Sequence, residues 1–452
     1  MDLFQCTSVG SPYRVDFRAY NRLVRETRSH TDTTRSTGVV RGVNWCSLTE
    51  AAKRSLYVMV GDPSADRHVG RLIEQLRKQI PDLYIWGVGG TQMREQGVEL
   101  LYDCADLSVL GLFETIHQIP VMMGIADRVE AKMEIQAPDV VLLVDFGGFN
   151  LRMATKLRKK YPNLPIYYFI SPQVWGSRPW RIKTLAKTVT KMLVIFPFEE
   201  PLYEDYNVPV KFVGHPLTKN LPAMEDLPSK EDFCAGLSLN PNAPIIAIFP
   251  GSRKREIADI LPISLESILW LRQTRPDLQF VLAPAYESLI EGIHSGIDAH
   301  GMRDMVGKFL FITQPSDNYA LLKACDLVWA KSGTTTLEVT LFGKPMLIYY
   351  RALWTTYLVF CILKTVKRVG WPNLLAGYDL VPELIQLDCR AEQLVRYTGD
   401  LLDVPELRKE ISEKLLSLRN KLGERDYAEE IAGEIVSALK AKEPSTSQIG
   451  NL

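Results

Sequence analysis

The sequence has no excess of either charge: its 452 residues carry 53 Lys and Arg against 53 Asp and Glu. A dedicated nucleic-acid binder needs surplus cations to neutralise phosphates, so any basic surface here is local. Paired cysteines are missing too. The seven cysteines stand at 6, 46, 104, 234, 325, 361 and 389, the closest two 28 residues apart, and no C-x-x-C occurs. That spacing supports neither a zinc nor a redox motif and suggests reduced thiols packing as small apolar side chains. No metal-ligand cluster is evident, and neither a metal nor a cofactor is expected. The dinucleotide fingerprint G-x-G-x-x-G is absent, Gly87-Val88-Gly89-Gly90 being the nearest approach, and so is the Walker loop. Dehydrogenase and kinase readings lose their main support.

Long apolar runs are also lacking. None reaches the ~18 residues needed to cross a bilayer. Leu353 to Leu363 is eleven uncharged residues followed by Lys364, Lys367 and Arg368. Such a segment can lie on a membrane surface but not span it; a buried helix is the other reading. The first fifty residues contain no Lys, seven Arg and twelve Ser or Thr. That composition resembles an organellar transit peptide and gives a mitochondrial expectation, although five acidic residues are more than such peptides usually carry and a disordered tail stays open.

What is present is a repeated strand, turn and helix pattern. Buried-strand candidates are Ser55 to Val60, Leu83 to Val88, Val140 to Val144, Ile166 to Ile170, Met192 to Ile195 and Lys211 to Val213. A polar, Pro-bearing segment from Thr218 to Lys230 interrupts the rhythm, which restarts at Ile245 to Phe249 and continues through Gln279, Phe309, Leu327 and Met346. The pattern predicts an α/β chain of two Rossmann-like, doubly wound domains. The expected divisions are a leader over 1–50, domains over 51–222 and 223–404, helices over 405–440 packing back on the first domain, and a disordered tail over 441–452.

In doubly wound sheets, ligands bind beyond the carboxyl ends of the strands. Gly251, Ser252 and Arg253 follow one strand; a glycine turn with a guanidinium beside it suits a phosphate, or is simply an exposed basic helix start. Ser332, Gly333 and Thr334 open a helix containing Glu338, which suits a diphosphate and a ribose diol, or is an ordinary Ser cap with a surface Glu. Asp145, in Asp145-Phe146-Gly147-Gly148, can be a general base or a turn-capping residue. His215 binds substrate or only completes a crossover turn. Trp175, Arg178, Trp180 and Arg181 form an aromatic and basic loop open to ligand contact or to packing.

Nine short motifs in one order carry a resemblance across Leu56 to Glu383. They are V-G-D-P-S-A-D at Val60, S-V-L-G-L-F-E at Ser108, V-D-F-G-G-F-N at Val144, S-P-Q-V-W at Ser171 and F-P-F-E at Phe196. G-H-P at Gly214, P-G-S-R at Pro250, S-G-T-T-T-L-E at Ser332 and P-N-L-L-A-G at Pro372 complete the set. Together they resemble lipid-A-disaccharide synthase, an inverting glycosyltransferase family of the GT-B fold. The resemblance implies transfer of 2,3-diacylglucosamine from its UDP form onto 2,3-diacylglucosamine 1-phosphate, giving a β-1,6-linked disaccharide 1-phosphate and UDP without a metal. It implies catalytic roles for Asp145 and Arg253. UDP contacts fall to Gly251, Ser252, Arg253, Ser332, Gly333, Thr334, Glu338 and Asn373. Acceptor contacts fall to Asp62, Ser64, Asp66, Glu114, Asn150, Trp175 and His215. A peripheral membrane surface is the implied partner, and a homodimer is left open. Two other readings stay open: another GT-B enzyme acting on UDP-N-acetylglucosamine, and a silent UDP-sugar or lipid binder.

Overall fold

A computed structural model describes residues 54–108, 115–354, 357, 361, 366–423 and 425–441. The leader expected over 1–50, the tail expected over 441–452 for all but its first residue, Glu114 and most of Leu353 to Leu363 lie outside those residues.

The first lobe is one parallel sheet of seven strands in the order β3-β2-β1-β4-β5-β6-β7. Its strands are β1 Ser55–Val60, β2 Tyr84–Gly89, β3 Glu99–Asp103, β4 Val140–Val144, β5 Ile166–Phe169, β6 Lys191–Val194 and β7 Val210–Phe212. The second lobe is a parallel sheet of six in the order β10-β9-β8-β11-β12-β13. These are β8 Ile245–Phe249, β9 Gln279–Leu282, β10 Leu310–Ile312, β11 Leu327–Lys331, β12 Met346–Tyr350 and β13 Glu383–Ile385. β1, β4 and β8 are buried at every position, as strands covered on both faces require. Both sheets are doubly wound, as expected. Each reverses direction once, between β1 and β4 and between β8 and β11, and there the crevice opens.

The helices used below are α1 Pro63–Gln79, α2 Gly147–Lys160, α3 Arg181–Thr188, α4 Lys254–Thr274, α5 Thr334–Leu341, α6 Trp371–Ala376, α7 Pro405–Lys421 and α8 Tyr427–Ala441. α1 begins where Asp62 accepts from the amides of Ser64 and Ala65 at 2.8 and 3.0 Å, with Pro63 in the first turn. Its Val69, Leu72, Ile73 and Leu76 are buried at helical spacing.

α5 belongs to both lobes. Val339 packs in the second core, whereas Leu337 and Leu341 join the first-lobe core with Val60 and Phe169. The two last helices part company. Ile411, Leu415 and Leu418 of α7 pack into the second core, while Ile431, Ile435 and Leu439 of α8 pack into the first. Only α8 returns to the first lobe, where it lies along α1. Arg71 of α1 and Asp426 at its start form an ion pair of 2.6 Å.

Candidate functional site

Four of the loops singled out in the sequence lie at the two switch points. Gly61-Asp62 follows β1 and Asp145 to Gly148 follows β4; Pro250 to Arg253 follows β8 and Ser332 to Thr334 follows β11. Between the lobes lies a cleft of about 930 Å³. Ser64, Trp175, His215, Gly251, Ser252, Gly333, Thr334 and Glu338 all line it. Asp62, Asp145, Arg253 and Ser332 stand on the loops just outside that lining.

On the second-lobe side the glycine loop is held rigidly. Gly251 has φ of 127°, and a Cβ there would meet Glu256 Cβ at 2.7 Å, so only glycine fits. Glu256 Oε2 accepts from the Ser252 amide at 2.9 Å, while its Oε1 receives Lys331 Nζ at 2.9 Å from the end of β11. Burial raises the Glu256 pKa, but the Lys331 and Ser252 hydrogen bonds outweigh it and hold the carboxyl below its usual range. One carboxylate thus ties both phosphate-loop candidates together. Arg253 leaves its side chain 73% exposed and touches Glu256 only at 3.5 Å, so its guanidinium is available to an incoming anion. Glu338 receives the Tyr319 hydroxyl at 3.0 Å on Oε1, and burial raises its pKa. Ser332 Oγ donates to Val369 O at 3.3 Å.

On the first-lobe side Asp145 and Phe146 adopt left-handed backbone, with φ of 45° and 48°. The turn is pinned from below. Asp145 O accepts from Tyr168 Oη at 2.6 Å and from Asn150 Nδ2 at 2.8 Å. The Phe146 ring lies across Gly61, where a Cβ would meet it at 2.2 Å. Burial, then the nearby Asp62 carboxylate, push Asp145 up to about 6. A carboxylate so placed is a stronger base than an exposed one and is still ionised at neutral pH.

Three of the expected contact residues hold main-chain partners. Asp66 is 3% exposed and its carboxylate accepts from the amides of Gly90, Gln92 and Met93 at 2.7 to 3.2 Å. Asn373, fully buried, donates to Val381 O and Glu383 and accepts from the amides of Leu380 and Val381. Asn150, also fully buried, donates through Nδ2 to Val144 O and Asp145 O, while its Oδ1 is buried without a partner among the described residues. For Asp66 and Asn373 the main chain satisfies the buried polar atoms, whereas Asn150 keeps one acceptor unused. Asp66 braces the β2 end, Asn373 braces α6, and Asn150 braces the Asp145 turn.

Trp371 and Glu199, which were not singled out, stand at the cleft beside the expected Trp175 and His215. Trp371 of α6 stacks on Phe196 at 4.3 Å and meets Trp175 edge-on at 5.7 Å, so an aromatic cluster bridges the lobes. Glu199, 2% exposed, accepts from Trp175 Nε1 at 3.2 Å and fixes that indole; burial pushes its carboxyl up to about 7. His215 Nδ1 accepts from the Leu217 amide at 3.1 Å, and burial followed by the neighbouring His68 lowers its pKa to about 3. It is a neutral ring whose Nε2 carries the hydrogen, a donor suited to a sugar or phosphate oxygen. Glu199 was legible in F-P-F-E, where an acid follows an apolar strand end; nothing in the sequence paired Trp371 with Phe196.

A family profile for lipid-A-disaccharide synthetase matches residues 56–437. Lipid-A-disaccharide synthase of Geobacter sulfurreducens is 35% identical over 399 residues, 87% of this chain and 99% of that protein. Lipid-A-disaccharide synthase 1 of Legionella pneumophila is 36% identical over 365 residues, 81% and 92% of the two chains. Among solved structures, a putative UDP-N-acetylglucosamine 2-epimerase from Listeria monocytogenes superposes with a TM-score of 0.57 at 15% identity, covering 87% of this chain and 98% of that one. The Neisseria meningitidis UDP-GlcNAc 2-epimerase bound to UDP-GlcNAc gives 0.55 at 15% identity, covering 85% and 100%. These structural likenesses establish the GT-B fold.

Proposed function

The chain belongs to the lipid-A-disaccharide synthetase family, and from that premise we infer how its two switch points perform the transfer. The enzyme moves 2,3-diacylglucosamine from UDP-2,3-diacylglucosamine to the 6-hydroxyl of 2,3-diacylglucosamine 1-phosphate, releasing UDP. The observation that carries the mechanism is the pair of unlike loops at the two switch points: a largely buried carboxylate with raised pKa after β4, and a rigid glycine loop after β8 whose exposed guanidinium keeps only a 3.5 Å contact with Glu256.

The acceptor hydroxyl attacks the anomeric carbon from the face opposite UDP, in one inverting displacement. Asp145 takes the hydroxyl proton as the new bond forms. UDP departs with its growing charge met by Arg253 and by the amides around Gly251, Ser252, Gly333 and Thr334. The free Glu338 oxygen accepts from the ribose, and His215 donates to a substrate oxygen. Since guanidinium and amides supply the diphosphate's counter-charge, the transfer is expected to run in EDTA.

Both substrates are acylated, so the chain is further proposed to work on a membrane surface. Leu353 is 38% and Trp354 60% exposed at the start of the uncharged stretch, which supports this. The Arg, Ser and Thr-rich first fifty residues support a mitochondrial address.

The test is turnover by residues 54–441 with both acylated substrates in detergent micelles and EDTA, beside Asp145→Ala. Disaccharide 1-phosphate and UDP in equal amounts, lost in the variant, are expected. UDP release without disaccharide overturns the reading.

A further inference from the structure

We propose that Arg178 and Arg181, with Arg152 beside them, form the seat for the acceptor's 1-phosphate, a phosphomonoester dianion. The proposal rests on the transfer reaction above, which gives the acceptor that phosphate.

Arg181 opens α3 and its guanidinium lies against the first turn of α2. A Cβ on Gly147 would stand 3.6 Å from Arg181 Nη1 and 2.9 Å from Pro172 Cβ, so the glycine lets the loop and the guanidinium approach. α2 starts without a side-chain cap, and the amides of Gly147 and Gly148 take no acceptor among the described residues. Arg178 stands three residues before Arg181, and Arg152 lies one turn along α2 from Gly148.

The charges do not balance internally. Arg71, Arg94, Arg255, Arg275, Arg303 and Arg368 each have a carboxylate within 4.0 Å. Arg152, Arg178 and Arg181 have none among the described residues. Burial, then the repulsion of Arg178 and Arg152, depress the Arg181 pKa, the signature of like charges gathered without a counter-ion. Guanidinium forks and free helix-start amides are the kinds of donor that a phosphate's oxygens take.

Acceptor chemistry fixes where such a seat must be. The 6-hydroxyl hangs from C5 through C6 and the phosphate from C1, and both carbons adjoin the ring oxygen. The phosphate must therefore lie within one sugar's width of the base. Arg181 meets the loop at Gly147, two residues beyond Asp145. Arg71 is already taken by Asp426; Arg67, exposed on the cleft wall, is the competing cation.

The experiment compares kcat/KM for 2,3-diacylglucosamine 1-phosphate with that for phosphate-free 2,3-diacylglucosamine, in the same mixed micelles. Arg181→Gln is expected to lower the ratio by about tenfold or more, the double variant with Arg178→Gln further, and Arg181→Lys less, since a point charge replaces a fork. Equal loss on both acceptors overturns the proposal, as does collapse of the ratio in Arg67→Gln but not in Arg181→Gln. Calorimetric binding of the two lipids without donor separates this site from the transfer reading. Arg181-dependent preference for the phosphorylated lipid with no transfer product keeps the seat and sinks the reaction; no preference in the unmodified protein sinks the seat. If phosphatidylglycerol micelles bind with the same Arg181 dependence, the cluster is a headgroup contact and the proposal fails.

Discussion

Tyr168 donates its hydroxyl hydrogen to the main-chain carbonyl of Asp145 at 2.6 Å. The phenol, fully buried on β5, therefore supports the left-handed turn that aims the carboxylate. Left-handed backbone at two successive non-glycine residues persists only where surrounding bonds fix it. Tyr168→Phe should cost about 1 kcal/mol of stability. kcat should fall severalfold, with UDP affinity unchanged, as unfolding and steady-state kinetics would show.

Asp145 gives a prediction with opposite signs for activity and stability. Folding raises its pKa from 3.8 to about 6, so the folded state holds the proton more tightly than the unfolded chain. Ionisation between those values destabilises the fold, and the whole cost is present above about pH 6. Asp145→Asn should therefore raise stability at pH 8 by roughly 2–3 kcal/mol, and not at all below pH 4. The same variant should lose at least ~100-fold in kcat. The unmodified enzyme's rate should fall below about pH 6 as the base is protonated. A melting point equally shifted at both pH values would refute the argument.

The Glu256 to Lys331 pair makes the donor loop a third case. Glu256→Ala leaves both Lys331 Nζ and the Ser252 amide without this partner in a half-buried place, costing about 2–4 kcal/mol. Calorimetry should find UDP bound at least tenfold more weakly, because two amide loops lose their common brace.

Asp66 separates scaffold from chemistry. Its three amide bonds predict that Asp66→Ala costs about 3 kcal/mol in denaturant unfolding. The KM for acceptor should stay within twofold for the molecules that remain folded. A large KM increase with unchanged stability would restore it as a substrate contact.

Trp371 tests the bridge between the lobes. Trp371→Ala removes the stack on Phe196 and the edge contact with Trp175. A stability loss of about 2–3 kcal/mol is expected, with kcat/KM falling for both substrates. Trp371→Phe should recover most of both.

The legibility of this chain follows burial. Val140–Val144 and Ile245–Phe249 were readable to the residue because fully covered strands are unbroken apolar runs ended by turn residues. Glu99–Asp103 and Glu383–Ile385 were missed because each is an edge strand carrying acids and only partly buried. Asp145 was visible as an acid at a strand end, yet its left-handed turn was not, since that depends on Tyr168 from the next strand. Asn373 and Asp66 misled for one reason: a polar residue in a loop motif looks alike from sequence whether its partner is a ligand or a main-chain amide.

The pairing of Arg71 with Asp426 joins positions 355 residues apart. A ribosome therefore makes α1 long before the helix that covers it. Until Ile431, Ile435 and Leu439 emerge, α1 and the core beneath it lack part of their native cover. The nascent chain must complete the second lobe while α1 is still partly bare, so a chain that stops before α8 keeps an exposed apolar face on its first lobe.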